Sequence, residues 1–434
     1  MLARIQECIL YREFSNGEIL NDMAELINLY EADEEALKAR EDQFFKSVNG
    51  LVELAGMYGF SGNIWHTYLT FLLVNHENAF SMASEIRGAI KGSINDLAKN
   101  DFQIFKELYD FDITVFDKVF GTVCCRVICD YQTPDENSKL FNTRIRDRIC
   151  QMSKTLAAAT TTEEFMDDMV SFYKDFGVGK LGLHKAFRIG HDEEGKVEIQ
   201  PITRIAHVKI DDLVGYEIAK KKLIDNTEAF VQGRKANNCL LFGDAGTGKS
   251  SSIKGILNKY YDEGLRIIEV YKHQFVDLNQ IIAQIKDRNY KFIIYMDDLS
   301  FEEFEIEYKY LKAVIEGGLE RKPENILIYA TSNRRHLVRE RAGDKLEVGA
   351  DDDIHSSDTV QEKLSLVYRF GVRIYFGAPD RKEFHTIVKT LAQRNGIIMP
   401  EDELLLEAGK WEISHGGLTG RTAQQFIDHL LGKE

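Results

Sequence analysis

The segment Gly243-Asp244-Ala245-Gly246-Thr247-Gly248-Lys249-Ser250 constrains the fold of this chain more than any other stretch. It fits GxxxxGK(S/T) at every position, with the apolar run 239–242 leading in and a helix-patterned stretch, 251–261, leading out. Glycines let backbone N–H groups turn inward round phosphate oxygens, and a helix N-terminus adds partial positive charge. Lys249 is placed to bridge β- and γ-phosphates, and the Ser250 hydroxyl to ligate Mg²⁺. The motif predicts a strand, a phosphate loop and a helix, with a nucleotide held by residues 243–251, the last of them Ser251.

A loop of that kind needs a sheet around it. Short runs at 239–242, 265–270, 292–296, 326–330 and 372–376 are mostly apolar and β-branched, and helical stretches separate most of them. Leu278, Ile281, Ile282 and Ile285, for example, recur at i, i+3, i+4 and i+7. Strands alternating with crossover helices predict a mostly parallel sheet covered on both faces over residues 207–378. After Pro379 the pattern turns purely helical, a small terminal bundle over 379–434. Residues 1–180 hold one proline, Pro134, and show helical spacing, as at Met23, Leu26, Ile27 and Tyr30. They predict an all-α domain. Between the two, residues 181–206 carry two strand-like segments around an acidic turn and predict a hairpin or linker. A formal GxGxxG match at 177–182 has no strand before it and no clear helix after it, and reads as a junction.

Run 292–296 ends in Asp297 and Asp298. Acids at the carboxyl end of a parallel strand lie where such sheets bind ligands. On a strand neighbouring the phosphate loop, Asp297 would hold Mg²⁺ opposite Ser250, and Asp298 would orient or deprotonate an attacking water. The alternative, stronger for Asp298, is a cap on the following helix. Run 326–330 leads into Thr331-Ser332-Asn333-Arg334-Arg335, where the Asn333 amide would reach a γ-phosphate; alone, the segment would read as a polar turn.

Composition narrows the rest. The 434 residues suit two or three domains, and 44% hydrophobic with 29% charged side chains excludes a disordered or fibrous chain. Of the net charge of −15, about −12 falls in residues 1–200, so no strongly basic face invites nucleic acid. The cysteines fit a reducing compartment; Cys124, Cys125 and Cys129 cluster, but without a second pair or a nearby His they read as helix packing rather than a metal site. No apolar run reaches the roughly 18 residues of a membrane span, and the opening MLARIQECIL lacks a signal-peptide layout. A soluble, cytoplasmic protein is expected.

In order along the chain, GDAGTGKS, FIIYMDD, ILIYATSN, YRFG and GLTGRTAQQF together resemble an AAA+ ATPase module, over about residues 210–431. More closely, the whole chain resembles a group of bacterial predicted AAA+ ATPases with a helical N-terminal region, described only as a domain of unknown function. The resemblance implies a P-loop α/β sheet with a helical lid, Mg²⁺ and ATP as ligands, and hydrolysis. It implies that the segment before the phosphate loop, with Val214 and Gly215, lines an adenine pocket. Asn333 matches the first sensor, Thr331 being the lesser candidate, and Arg421 matches the second sensor on the lid. Arg369 matches the finger that reaches a neighbouring subunit's γ-phosphate, with Arg334, Arg335 and Arg373 as rivals. Guanidinium suits both arginine roles because it stays charged and grips phosphate bidentately; ion pairs are the plainer alternative for each. With Lys249, Asp297 and Asp298, these residues make up the expected catalytic set. One departure is Asp298, where many AAA+ proteins have Glu; Glu302 or Glu303 would be substitutes, and a slow, switch-like ATPase is expected. No pore-loop pattern follows run 265–270. The expected assembly is a ring or open helical homo-oligomer, with a protein partner recruited by the acidic helical half. A nucleotide switch with little turnover, or a loader acting on nucleic-acid machinery, are the alternatives.

Overall fold

The most apolar run, near residue 70, becomes the buried axis of a helical unit. Helix Ile64–Asn75 buries Ile64, Trp65 and every residue from Thr67 to Val74, and a helix apolar all round belongs inside a core. A computed structural model of the chain describes residues 4–89, 91–133, 143–203, 205–206, 208–301, 307–316, 323–333 and 365–433. They divide into two compact units, Met1–His184 and Lys185–Glu434. In the first, helices Glu18–Ala32, Glu41–Tyr58, Ser93–Asp110, Thr143–Ala158 and Thr162–Phe176 surround the axis. Of the stripe on Glu18–Ala32, Met23, Leu26 and Ile27 are buried while Tyr30 is 38% exposed. The clustered cysteines lie on and beside the short helix Cys124–Cys129 as free thiols, with Cys125 buried. The 177–182 glycines run into another short helix, Gly179–Leu183, not a phosphate loop. Among the described residues no helix is long and apolar enough to cross a membrane.

The second unit is built on a seven-stranded sheet: β1 (Ala186–His191), β2 (Val197–Pro201), β3 (Cys239–Gly243), β4 (Leu265–Glu269), β5 (Lys291–Met296), β6 (Ile326–Ser332) and β7 (Val372–Phe376), in the order β2-β1-β4-β5-β6-β3-β7. Every pairing is parallel except β1 with β2. The central strands read as continuous apolar runs because both faces are covered. On one face Cys239, Leu241, Ile293 and Tyr329 join a core with Leu223 and Phe230 of helix Glu217–Val231 and Ile253 and Ile256 of helix Lys249–Tyr260. On the other, Leu240, Ile294 and Ile328 are buried, as are Leu278, Ile281 and Ile285 of helix Leu278–Ile285. Helices Arg381–Arg394, Glu401–Ser414 and Gly420–Leu431 form a small bundle with its own core of Phe384, Val388, Ala408 and Phe426.

Of the two readings of residues 181–206, the hairpin is found; β1 also pairs in parallel with β4 through Phe187 and Ile268, so the hairpin extends the sheet at one edge. One expectation needs correcting: the acids following β5 do not lie on a strand neighbouring the phosphate loop. β6 stands between, pairing Met296 of β5 with its Ala330 and Leu241 of β3 with its Thr331. Strand order is set by where crossover connections land, which local residue pattern does not encode.

Candidate functional site

Strand periodicity places the chemistry. Alternate residues of a strand share a face, so Tyr295 and Asp297 follow one another at the end of β5, and Tyr329, Thr331 and Asn333 at the end of β6. Both sets lie on the face that the phosphate-loop helix covers. Between these strand ends and the loop lies a cavity of about 700 Å³, a size usual for small-ligand sites. Residues 245–252 line it, with Asp297, Asp298, Thr331, Asn333 and Arg421.

The loop itself is tightly held. Gly243 has φ 135°, and a Cβ there would lie 2.1 Å from the Phe376 carbonyl oxygen, so only glycine fits. Asp244 donates its N–H to that same oxygen at 3.0 Å. Its carboxylate accepts from the Ala378 N–H at 2.7 Å. The bundle closes the loop from above: the Arg421 N–H donates to the Gly246 carbonyl at 3.2 Å.

Inside the cavity the polar groups form connected paths. Lys249 Nζ donates to the carbonyls of Gly243 (3.1 Å) and Asp244 (2.6 Å) and to Asn333 Oδ1 (3.0 Å). The Asn333 amide in turn donates to Asp298 Oδ1 at 2.8 Å. Beside this path, Asp297 Oδ1 accepts from three hydroxyls: Ser250 at 2.8 Å, Tyr295 at 2.6 Å and Thr331 at 2.5 Å. Thr331 Oγ1 also accepts the Asp298 N–H at 2.9 Å. Burial lowers the Lys249 ammonium below the ordinary amine value, against the pull of Asp244, Asp298 and Asp297. Burial pushes the Asp297 carboxyl up, but the hydrogen bonds from Thr331, Tyr295 and Ser250 outweigh it and leave the group below its ordinary value. Tyr295 is raised by burial and by Asp297, and stays a donor.

The donor set also bears on a metal. Among the described residues no group of three or more His, Cys, Asp or Glu side chains could cage an ion alone. Mg²⁺ typically uses one or two carboxylates, waters and substrate phosphates. The hard oxygens of Ser250 and Asp297, meeting at the cavity wall, fit that demand.

Most expected residues converge here, though not all. Val214 lines the cavity with Asp212, Leu213 and Tyr216, whereas Gly215, Gly243 and Asp244 are not among its lining residues. Arg369 is not among the lining residues; its guanidinium donates to Ser365 O at 2.8 Å and Ser365 Oγ at 3.0 Å. Arg373 lies over the Tyr368 ring, 5.4 Å from its centroid. Arg334, Arg335, Glu302 and Glu303 fall outside the described residues. Sequence reasoning missed Tyr295, which its place two before Asp297 in a strand would have flagged. It also missed Lys220, whose ammonium holds the Leu213 carbonyl at 2.7 Å. Tyr216 took no role of its own there, yet it has φ 60° and a buried phenol oxygen with no hydrogen-bond partner among the described residues.

A family model described as "Protein of unknown function (DUF815)" matches residues 182–434, more than half of the chain. The chain belongs to that family. The DUF815 match takes in the phosphate loop, the parallel sheet and the terminal bundle, which together make an α/β P-loop fold. No curated protein matches. Solved structures similar to the chain include two single-substitution variants of Thermotoga maritima RuvB, at 16% identity with TM-score 0.38 and 17% with 0.37. Each alignment covers 52% of this chain, and 66% and 64% of theirs, so the chain spans just under two thirds of their length. A third is the T. maritima "RuvB Holliday junction branch migration motor", at 15% identity and TM-score 0.32, covering 51% of this chain and 72% of that one.

Proposed function

We propose that this chain is an ATPase that binds Mg·ATP in the cavity above the phosphate loop and hydrolyses it. One observation carries the reading. Lys249, Asn333 and Asp298 form one hydrogen-bonded path, and Ser250 meets Asp297 beside it, all at a helix N-terminus. Lys249 would exchange its carbonyl and amide partners for phosphate oxygens, stabilising charge that spreads over the transferred group. Asn333, released from Lys249, would hold a water against the γ-phosphate, and Asp298 would accept its proton. Ser250 and Asp297 would hold Mg²⁺, which when bound neutralises charge across the phosphates. Residues Leu213, Val214 and Tyr216 would receive the base, and Arg421 the phosphates from the bundle side.

Turnover would be completed by Arg369 of a second copy in a homo-oligomer, and the acidic helical unit would engage a protein partner. A second reading, a nucleotide switch with little turnover, is favoured by the short Asp298 side chain, already engaged by Asn333. The direct test of the site is Lys249→Ala in a titration with a fluorescent ATP analogue. ATP affinity is expected to fall about 100-fold or more, as loss of a charged phosphate donor requires; unchanged affinity would remove the reading.

A further inference from the structure

We infer that Tyr295 and Thr331 are positioning residues that lock the Asp297 carboxylate into the one orientation able to serve a nucleotide-bound Mg²⁺. The inference rests on the Mg·ATP reading above and adds to it two residues that the phosphate-loop motif does not contain.

The geometry is specific. Asp297 Oδ1 accepts from the hydroxyls of Ser250, Tyr295 and Thr331. Three donors on one oxygen exceed what holding a carboxylate against free rotation needs. Their lines restrain both its χ angles, and all three meet Oδ1, so none of these donors occupies Oδ2. Ser250 alone would not do this. It stands in the first turn of helix Lys249–Tyr260 and would itself contact the metal, whereas Tyr295 and Thr331 are carried by the central strands β5 and β6, buried on both faces.

The two donors hold Asp297 from different elements. Tyr295 reaches it along its own strand, two residues back on the same face. Thr331 reaches it across the β5–β6 pair, and the same hydroxyl accepts the Asp298 N–H. Thr331 thus couples the two acids: the orientation of Asp297 and the backbone of Asp298 share one oxygen. A side chain supported this way meets its ligand without first losing rotamer freedom, which is how supporting shells raise metal affinity.

The test separates metal use from nucleotide binding. Affinity for a fluorescent ATP analogue is measured with EDTA and across a Mg²⁺ titration, for the full chain and for Tyr295→Phe, Thr331→Val and Thr331→Ser. Tyr295→Phe keeps the ring that packs in β5 and removes only the hydroxyl. The expected result is an EDTA affinity within about twofold of the parent, with the Mg²⁺ concentration at half-effect raised about tenfold in Tyr295→Phe and Thr331→Val, the weight of one charge-assisted hydrogen bond. Thr331→Ser, which retains the hydroxyl, should behave as the parent. An unmoved Mg²⁺ half-effect in both Tyr295→Phe and Thr331→Val would overturn the inference. So would a fall in affinity of equal size in EDTA and in Mg²⁺, which marks a merely structural role. If the unsubstituted chain binds no nucleotide, the Mg·ATP reading fails first and this inference falls with it, a result visible before any variant is made.

Discussion

Asp298 holds its backbone at φ 49°, a left-handed conformation that residues with a Cβ adopt at a cost of about 1–2 kcal/mol. The Thr331 hydroxyl that accepts its N–H and the Asn333 amide on its carboxylate keep it there. Strain retained at a cavity wall generally belongs to the chemistry of the site rather than to folding. Asn tolerates the same conformation, so Asp298→Asn should leave the backbone and the Asn333 contact in place while removing the proton acceptor. Under the ATPase reading, ATP affinity is unchanged and phosphate release falls by about 100-fold or more. Equal, negligible release from parent and variant would instead identify a switch. The phosphate loop was fully legible because its residue types follow from backbone geometry alone. Tyr295 was not, since a tyrosine within an apolar strand reads as core until its neighbour's carboxylate is located. Arg369 was legible only by resemblance, and it is not among the described residues that line the cavity.

At the scale of elements, what could be read depended on how local the cause was. Strands β5 and β6 are buried on both faces over nearly their whole length, and short apolar runs of that kind stand out; edge strand β7 instead alternates, with Arg373 and Tyr375 exposed. The β1–β2 segment was legible as a hairpin or linker but not as part of the sheet, because its place depends on pairing with β4, a partner far along the chain. Helix Ile64–Asn75 was legible as apolar, not as the axis of a unit. Its first turn carries a titratable weak point. Asn63 accepts the His66 N–H at 3.1 Å, and His66 Nε2 meets the Tyr109 carbonyl at 2.9 Å, so that nitrogen carries the proton of a neutral ring. Burial lowers the His66 value below the usual imidazole range, the Tyr109 carbonyl notwithstanding. A lowered value means that the unfolded chain takes up a proton first. The stabilisation is complete above the unfolded value of about 6.5 and is lost as pH falls through the lowered folded value. Urea midpoints followed by tryptophan fluorescence should therefore fall between pH 7.5 and pH 5 more steeply for the parent than for His66→Gln. Identical slopes would show that other groups carry the acid sensitivity.

At the scale of the whole molecule, the proposed function makes separate demands on the acidic half and on Arg369. Most of the net charge of −15 lies in residues 1–200, so under the proposed function a protein partner of that unit would present a basic surface. Arg369 donates to Ser365 in its own chain and is not among the described residues lining the cavity. Under the proposed function the γ-phosphate it serves belongs to another copy, and head-to-tail contact between copies is the geometry that would supply it. Specific ATPase activity should then rise with protein concentration. Arg369→Ala should bind ATP like the parent and lose that rise, a fall of about 10³-fold if the guanidinium acts as a finger in trans. The decisive experiment mixes two inactive chains. Lys249→Ala has a broken site and an intact Arg369; Arg369→Ala has an intact site and no finger. In a head-to-tail assembly, a mixed contact joins the good site of one to the good arginine of the other, so activity should return on mixing. If the mixture stays as inactive as its components while both chains still assemble, Arg369 does not act across subunits, and the finger must be sought among the remaining arginines.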